Sequence, residues 1–477
     1  MAAAWQRRRH GRSLRLHLPF GAAASTLPNP YLTGNAAPVP DEITTFDLPV
    51  SGTLPRELNG RWLRNGPNPF APVLPETYHW FTGSGMVHGV RLHEGRAEWY
   101  RNRWVRSDAI ATALREPPPG GPTLNRRDGS PNTSVIGFAG RTWALVEAGA
   151  TPVELGYELE TLGRNDFFGT LQGAFSAHTK LDPASGELHA MTYARPDRTD
   201  LQYVVVGADA HVKRTVDIPV ADMVMVHDMS LTARYAIVYD LPVTLNMKLA
   251  MQQRFPFAWN DAHPARIGLL PREGGATDIL WCEVQPCYAF HPLNAYDTAD
   301  GRIVIDLCRY ERMFVNDLRG PFGDSLPTLA RWTVDPATRR VSEETVDGRS
   351  HEFPRHDPRV VGREHRYGYT AGVDPASATL MGATYKTDYR SGQVTPRDHG
   401  PGRGGAEPVF VPREGSTAED DGWLLVTVYD AGTDRSDLVV LDAGDIAAPP
   451  VATVHLPRRV PHGFHGDWVS DHQVAPQ

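Results

Sequence analysis

An all-β fold is what this sequence predicts, and three observations carry the prediction. Apolar and polar residues alternate over short runs, glycine and proline are spread evenly at 44 and 41 residues, and stretches with helical periodicity are few. The runs RIVIDLC at 302–308, WLLVTVYD at 423–430 and LVVLDAGD at 438–445 are rich in β-branched residues and bounded by polar turns, which suits pleated, half-buried strands.

A turn signal recurs between such runs, as Asp182-Pro183-Ala184-Ser185, Asp335-Pro336-Ala337-Thr338 and Asp374-Pro375-Ala376-Ser377. Asp caps its own turn and Pro presets φ at the next position, so each copy reads as a hairpin connector. The last two copies lie 39 residues apart, near the length of one four-stranded propeller blade, and a multi-sheet sandwich would carry the same signal. Helix is expected in two places, residues 153–162 and 241–253. The second brings Leu245, Met247, Leu249 and Met251 close to PFAW at 256–259. It reads first as a core-facing stretch, while exposure would suit a protein that takes lipid-soluble substrate from a membrane.

Composition narrows the class. At 477 residues, 41% hydrophobic and 22% charged, the chain has the apolar content of a globular protein with a large core. Propellers and barrels exceed the usual domain size, so residues 29–477 are expected to form one domain. Residues 1–28 read as a disordered extension, because LRLHLPFGAAAS is broken by Arg15, His17 and Pro19 and makes a poor secretory core. A net charge of −8 and the lack of a basic, aromatic-interleaved stripe argue against nucleic acid as a partner. Cys282, Cys287 and Cys308 give neither an even disulfide framework nor a CxxC spacing, which fits a reducing cytoplasm. No window reaches the ~20 apolar residues a membrane-spanning helix needs.

Among 19 histidines, most are expected to be hydrogen-bonded structural residues. Four stand apart by their surroundings: SAHTK (His178), MVHDMS (His227), YAFHPLNAYD (His291) and HGFHGDW (His465), each near a predicted strand end. A propeller collects widely separated ligands in this way, since every blade sends its inner strand to one axis. Imidazole suits Fe, Zn, Cu and Ni alike, so the four histidines alone leave the metal open.

Taken together, these segments resemble the carotenoid cleavage oxygenase family. The resemblance runs from Asn29-Pro30-Tyr31 to Trp468 through NGRWLRNGPNPF (59–70), YHWFTGSGMVHG (78–89), WYRNRWVRS (99–107), ALVEAGATPVEL (144–155), DPASGELHAMTY (182–193), HEFPR (351–355) and EPVFVPR (407–413). It implies a seven-bladed β-propeller under a dome of loops and short helices. It also implies Fe(2+) on His178, His227, His291 and His465, with Glu147, Glu352 and Glu407 accepting hydrogen bonds from three of those imidazoles. Thr133 aligns with a residue beside an open metal position; a plain strand threonine is the alternative. The reaction implied is insertion of dioxygen across a carbon–carbon double bond of an apolar polyene.

Within the family, carotenoid or apocarotenoid is the favoured substrate, with lignostilbene-type cleavage as the alternative. Tyr100 corresponds to a tyrosine that binds phenolic hydroxyls in the stilbene branch, but the matching lysine position falls on Ser134, leaving no cation to favour a phenolate. Tyr78, Trp80 and Phe81 are expected to line the tunnel. Where relatives read Phe-Asp-Gly-Asp-Gly-Met this chain has Phe81-Thr82-Gly83-Ser84-Gly85-Met86, and the retained glycines are expected to keep the loop. Cytoplasmic location with peripheral contact at the inner membrane face completes the expectation. From other classes, a calcium or zinc propeller hydrolase or a non-catalytic binding propeller remain as alternatives.

Overall fold

Alternation in the sequence becomes sheet in the structure. The run at 302–308 forms the strand Ile303–Tyr310, paired antiparallel on both sides, with Ile303, Ile305 and Leu307 fully buried. In the strand Gly422–Asp430, Leu424, Leu425 and Val426 are likewise shut off from solvent. Complete burial of one such side chain contributes about 1.5–3 kcal/mol. Outer strands keep the polar half of the pattern: Arg340–Ser350 is largely exposed and charged, which blunts a sheet edge against unwanted pairing.

This computed structural model describes residues 29–124, 128–193 and 198–476. The expectation for residues 1–28 lies outside them. Seven antiparallel sheets of four or five strands follow one another along the chain, with one extra two-stranded ribbon. They are the blades of a seven-bladed β-propeller: blade 1 (residues 60–104), blade 2 (134–164), blade 3 (179–218), blade 4 (230–283), blade 5 (288–350), blade 6 (352–397) and blade 7 (403–455).

The ring closes twice. The C-terminal strand Gly466–Ser470 pairs with Gly60–Pro67, placing Trp468 opposite Trp62, and so supplies the inner strand of blade 1. The early strand Val50–Gly52 adds to the outer edge of blade 7, with Val50 opposite Val454. First strands of successive blades touch one another around the axis from blade 4 through to blade 2.

All three Asp-Pro-Ala turns join hairpin strands as expected. They fall at different places within their blades, between first and second, third and fourth, and second and third strands. The 39-residue spacing is therefore no blade period; the tripeptide reports turn chemistry alone.

Neither helix expectation survives whole. Residues 153–162 are extended: Val153–Leu155 pairs with Arg141–Leu145, and a tight turn with Leu159 at φ 70° leads into Thr161–Arg164. Alternation of Val153 and Leu155 outweighed the helical reading. In 241–253 only Met247–Met251 is helical, capped by Asn246 after the strand Val243–Leu245 and ended by Gln253 at φ 54°. The core-facing reading holds for Leu245, which packs against the core, and fails for Met247 and Met251, which are 60% and 75% exposed.

Loops gather over one face of the ring. They include the 3-10 turn Trp80–Thr82, the ribbon Val243–Leu245 with Phe257–Trp259 that carries the short helix, and the segment around 311–322. The glycine expectation for FTGSGM holds at Gly85, where a Cβ would fall 1.8 Å from the Pro131 carbonyl oxygen, so no other residue fits that approach.

Candidate metal centre

The four singled-out histidines come from four blades and meet at the axis. His178 sits one residue before the inner strand Thr179–Leu181, His227 three before Ser230–Leu231, and His465 one before Gly466–Ser470; His291 lies within Tyr288–Asp297. All four are buried, and one nitrogen from each lies within 4.8 Å of the others.

Local irregularity aims several of these side chains. The ladder of Tyr288–Asp297 shifts register between Ala289 and Pro292, leaving Phe290 and His291 in a bulge. Arg403–Pro412 does the same between Gly405 and Pro408, around Glu407, and Glu352–Arg355 does so between Glu352 and Arg355. Each bulge contains or abuts a proline, Pro292, Pro354 or Pro408, which has no N–H for the ladder. A bulge bends the strand and redirects a side chain, here toward the axis.

Three imidazoles are backed by carboxylates. Glu147 takes the Nδ1–H of His227, Glu352 that of His291 at 2.5 Å, and Glu407 that of His465 at 2.8 Å. Each carboxylate is itself held, Glu147 by the Tyr193 hydroxyl, Glu352 by that of Tyr310 at 2.9 Å, and Glu407 by the Gly466 amide at 2.8 Å. Burial alone would raise the Glu407 carboxyl, but Arg355, His465 and Arg64 outweigh it and hold it at about 2. Burial pushes His465 down to about 3 and His178 well below its usual range. His465 is therefore a neutral imidazole against the ionised Glu407, and His178 is neutral as well.

With Nδ1–H given to a carboxylate, Nε2 of His227, of His291 and of His465 keeps a bare lone pair. His227 Nε2 and His291 Nε2 face each other at 3.1 Å, and His178 Nε2 is buried without a hydrogen-bond partner among the described residues. Converging lone pairs repel one another and are stabilised by a cation between them. The donor set fits a borderline transition metal and not calcium, which takes oxygen ligands.

The histidines separate two cavities. The front one, about 310 Å³, is walled by Trp80, Phe81, Phe290, Phe353 and Phe464 and reaches His227, His291 and His465. Phe81 lies at its middle, edge-on to Phe255, Phe290 and Phe464 at ring distances of 5.5–5.7 Å. Among the described residues no Lys or Arg lines it. The rear cavity, about 370 Å³, reaches His178, His291 and His465 and is lined by Lys180, Asp228, Arg355 and Asp467.

Thr133 lies on the front wall; its hydroxyl donates to Asn132 at 2.9 Å and its carbonyl accepts the His465 amide at 3.0 Å. Trp80 and Phe81 line the front cavity as expected, whereas Tyr78 is packed in the core beside Gly83. The stilbene positions need correction. Tyr100 is fully buried within blade 1 on His88, and Ser134 faces the rear cavity with its hydroxyl on the Ala177 carbonyl. Being first in its strand, Ser134 points away from Thr133, as alternation requires.

An axial cluster of histidines on a seven-bladed propeller defines a class of metal-centred enzyme, and the comparisons place the chain within it. Residues 36–470 match the RPE65 family, described as retinal pigment epithelial membrane protein. A carotenoid cleavage oxygenase of Mycobacterium tuberculosis is 46% identical, covering 94% of this chain and 99% of its own. Cobalt-substituted Synechocystis apocarotenoid oxygenase superposes with a TM-score of 0.80 at 30% identity, over 91% of this chain and 97% of that one. Lignostilbene dioxygenase of Pseudomonas brassicacearum gives 0.83 at 27%, over 95% and 100%. The chain belongs to the RPE65 family of carotenoid cleavage oxygenases and is an enzyme of that class.

Sequence reasoning missed Tyr193 and Tyr310, and also Phe290, Phe353 and Phe464. A signal for the phenylalanines was present, for each adjoins a site residue: Phe290-His291, Glu352-Phe353 and Phe464-His465. The tyrosines had no such signal.

Proposed function

We propose that the chain is an Fe(II) dioxygenase that cleaves one carbon–carbon double bond of a carotenoid or apocarotenoid, giving two carbonyl products. The observation that carries this is the front cavity: aromatic, without Lys or Arg among the described residues, and ending on the imidazoles of His227, His291 and His465. Its volume of about 310 Å³ is at the small end of the range of roughly 300–1,000 Å³ for ligand pockets. It encloses the segment of a polyene around one double bond, and a longer chain extends past exposed Thr82.

In this reading His178, His227, His291 and His465 hold the iron, and Glu147, Glu352 and Glu407 fix ring orientation and tautomer. Iron, when bound, supplies the electrons that activate dioxygen for insertion across the alkene. The chain's own part is positioning: Phe81, Phe290 and Phe464 fix the alkene beside the centre and exclude water, and Thr133 narrows the space next to His465. Among the described residues a phenolate finds no Lys or Arg there. Tyr193 and Tyr310 both donate to glutamates, which disfavours lignostilbene-type cleavage.

Contact with a membrane surface follows from the ribbon over the front cavity. Its inner end carries Phe255 and Phe257 on the cavity wall, and its outer end exposes Met247 and Met251 beside Lys248 and Arg254. Apolar residues flanked by cations suit the headgroup region of an anionic bilayer. No helix of the described residues is long and apolar enough to cross a membrane. Replacing both methionines with serine should reduce co-sedimentation with anionic vesicles while leaving turnover of detergent-solubilised substrate intact.

The test of the activity is oxygen uptake after anaerobic Fe(II) reconstitution, with an apocarotenal and a hydroxystilbene as rival substrates. Uptake on the apocarotenal with two aldehyde or ketone products is expected. Uptake on the stilbene alone would overturn the substrate, and no uptake on either would overturn the reaction.

A further inference from the structure

The rear cavity has no part in the reading above, and its chemistry differs from that of the front. It reaches three of the four histidines, His178, His291 and His465, from the opposite side. Its wall carries the carboxylates of Asp228, Asp467 and Glu407 and the cations Lys180 and Arg355. His356 also lines it, with Nε2 buried and unpartnered among the described residues. Leu181, 39% exposed, and exposed Pro183 mark where it opens to solvent.

We propose that the metal ion reaches the four histidines through this rear cavity, with Asp228 as the relay next to His178. The proposal rests on the reading of those histidines as a metal site. A hydrated divalent cation sheds water only where protein oxygens or nitrogens replace it. On the mostly aromatic front wall the oxygens of Glu147, Glu352 and Thr133 are already engaged, by His227 and Tyr193, by His291 and Tyr310, and by Asn132.

Asp228 is placed to make the exchange. One of its carboxylate oxygens lies 3.6 Å from His178 Nδ1 and 2.8 Å from Lys180 Nζ, and the Lys180 side chain is 20% exposed. Lys180 thus occupies the carboxylate as a removable cation on a flexible stem. When it swings toward solvent, Asp228 is free to take the incoming ion beside the one histidine that has no glutamate behind it. The separation of paths also has a use: hydrated ions pass on one side of the centre and apolar substrate on the other, so loading does not cross the aromatic front wall.

The three native cysteines are buried and free, so a cysteine introduced at either mouth can be labelled selectively. The apo-protein of Leu181→Cys (rear mouth) and of Thr82→Cys (front mouth) is reacted with a bulky maleimide. Co(II) uptake is then followed by its visible absorbance after stopped-flow mixing. The rear label should slow uptake by about tenfold or more, the factor that about 1.4 kcal/mol in the barrier produces, and the front label by less than about twofold. Final cobalt content should be the same in both. Slowing by the front label alone, equal slowing by both, or no slowing by the rear label would overturn the route. Unlabelled apo-protein that binds no Co(II) at all would overturn the metal reading beneath it, a result distinct from uptake that ignores the labels.

Discussion

Three of the axial histidines and the fourth are built differently. His227, His291 and His465 each lean on a glutamate that is held in turn by a tyrosine or a backbone amide. His178 has Asp228 at 3.6 Å, beyond hydrogen-bond reach, and that carboxylate is already occupied by Lys180. A carboxylate on the distal nitrogen makes an imidazole more basic and fixes its ring, so the centre has three pre-set donors and one freer donor. The freer one lines the rear cavity alone, His227 the front alone, and His291 and His465 reach both.

The largest expected effect removes a pre-set donor outright. His227→Ala should reduce metal content to background and abolish oxygen uptake, measured by elemental analysis and an oxygen electrode. Full metal content in that variant would break the four-histidine assignment.

The next pair tests the asymmetry itself. Glu352→Gln keeps volume but weakens the acceptor on His291, and should lower metal affinity by roughly 10- to 100-fold. Asp228→Asn should cost less than that, because its carboxylate makes no hydrogen bond to His178. Competition titration with a chromophoric chelator measures both. Equal losses would show that His178 is backed as firmly as the others.

Acid should weaken the apo-protein. Folding lowers His465 to about 3 from 6.5 and Glu407 to about 2 from 4.5, so in both cases the unfolded chain binds protons more readily. Stability then rises with pH between about 3 and 6.5 for the histidine and between about 2 and 4.5 for the glutamate. Each extra proton bound by the unfolded state gives a slope of about 1.4 kcal/mol per pH unit. The melting temperature of apo-protein should fall as pH drops below about 6.5, and a flat profile from 7 to 5 would contradict the buried, neutral state of these rings.

Much of this centre could be read from the residues before any coordinates. Strand alternation foretold the sheets, and the segments around the four histidines and three glutamates foretold what meets on the axis. The turn spacing misled, because Asp-Pro-Ala marks hairpins wherever they occur in a blade. The 153–162 helix failed because burial of Val153 and Leu155 in a sheet overrode local periodicity. Ser134 was placed on the wrong side because a one-residue offset in an extended strand inverts the face. One legible signal went unused: Pro292, Pro354 and Pro408 each sit one or two residues after a site residue in a run that otherwise reads as strand. Proline there announces a bulge, and a bulge on an inner strand is where a propeller turns a side chain to its axis. Tyr193 and Tyr310 left no trace, since their partners are distant in sequence, at separations of 46 and 42 residues.

The smallest effect concerns those tyrosines. Tyr310 is fully buried, and its hydroxyl donates to the Glu352 oxygen that His291 does not use, 2.9 Å away. Tyr310→Phe leaves that oxygen unpaired in an apolar surround, a loss of about 1–3 kcal/mol in stability. Metal affinity should change far less than in Glu352→Gln, because the bond from His291 to the other oxygen persists and the carboxylate, relieved of one donor, becomes a stronger acceptor for the imidazole. The expected result is therefore a lowered melting temperature with metal affinity held within severalfold of the parent. A loss of affinity as large as that of Glu352→Gln would show instead that Glu352 cannot keep its orientation without Tyr310, and would extend the pre-set part of the centre one residue further from the metal.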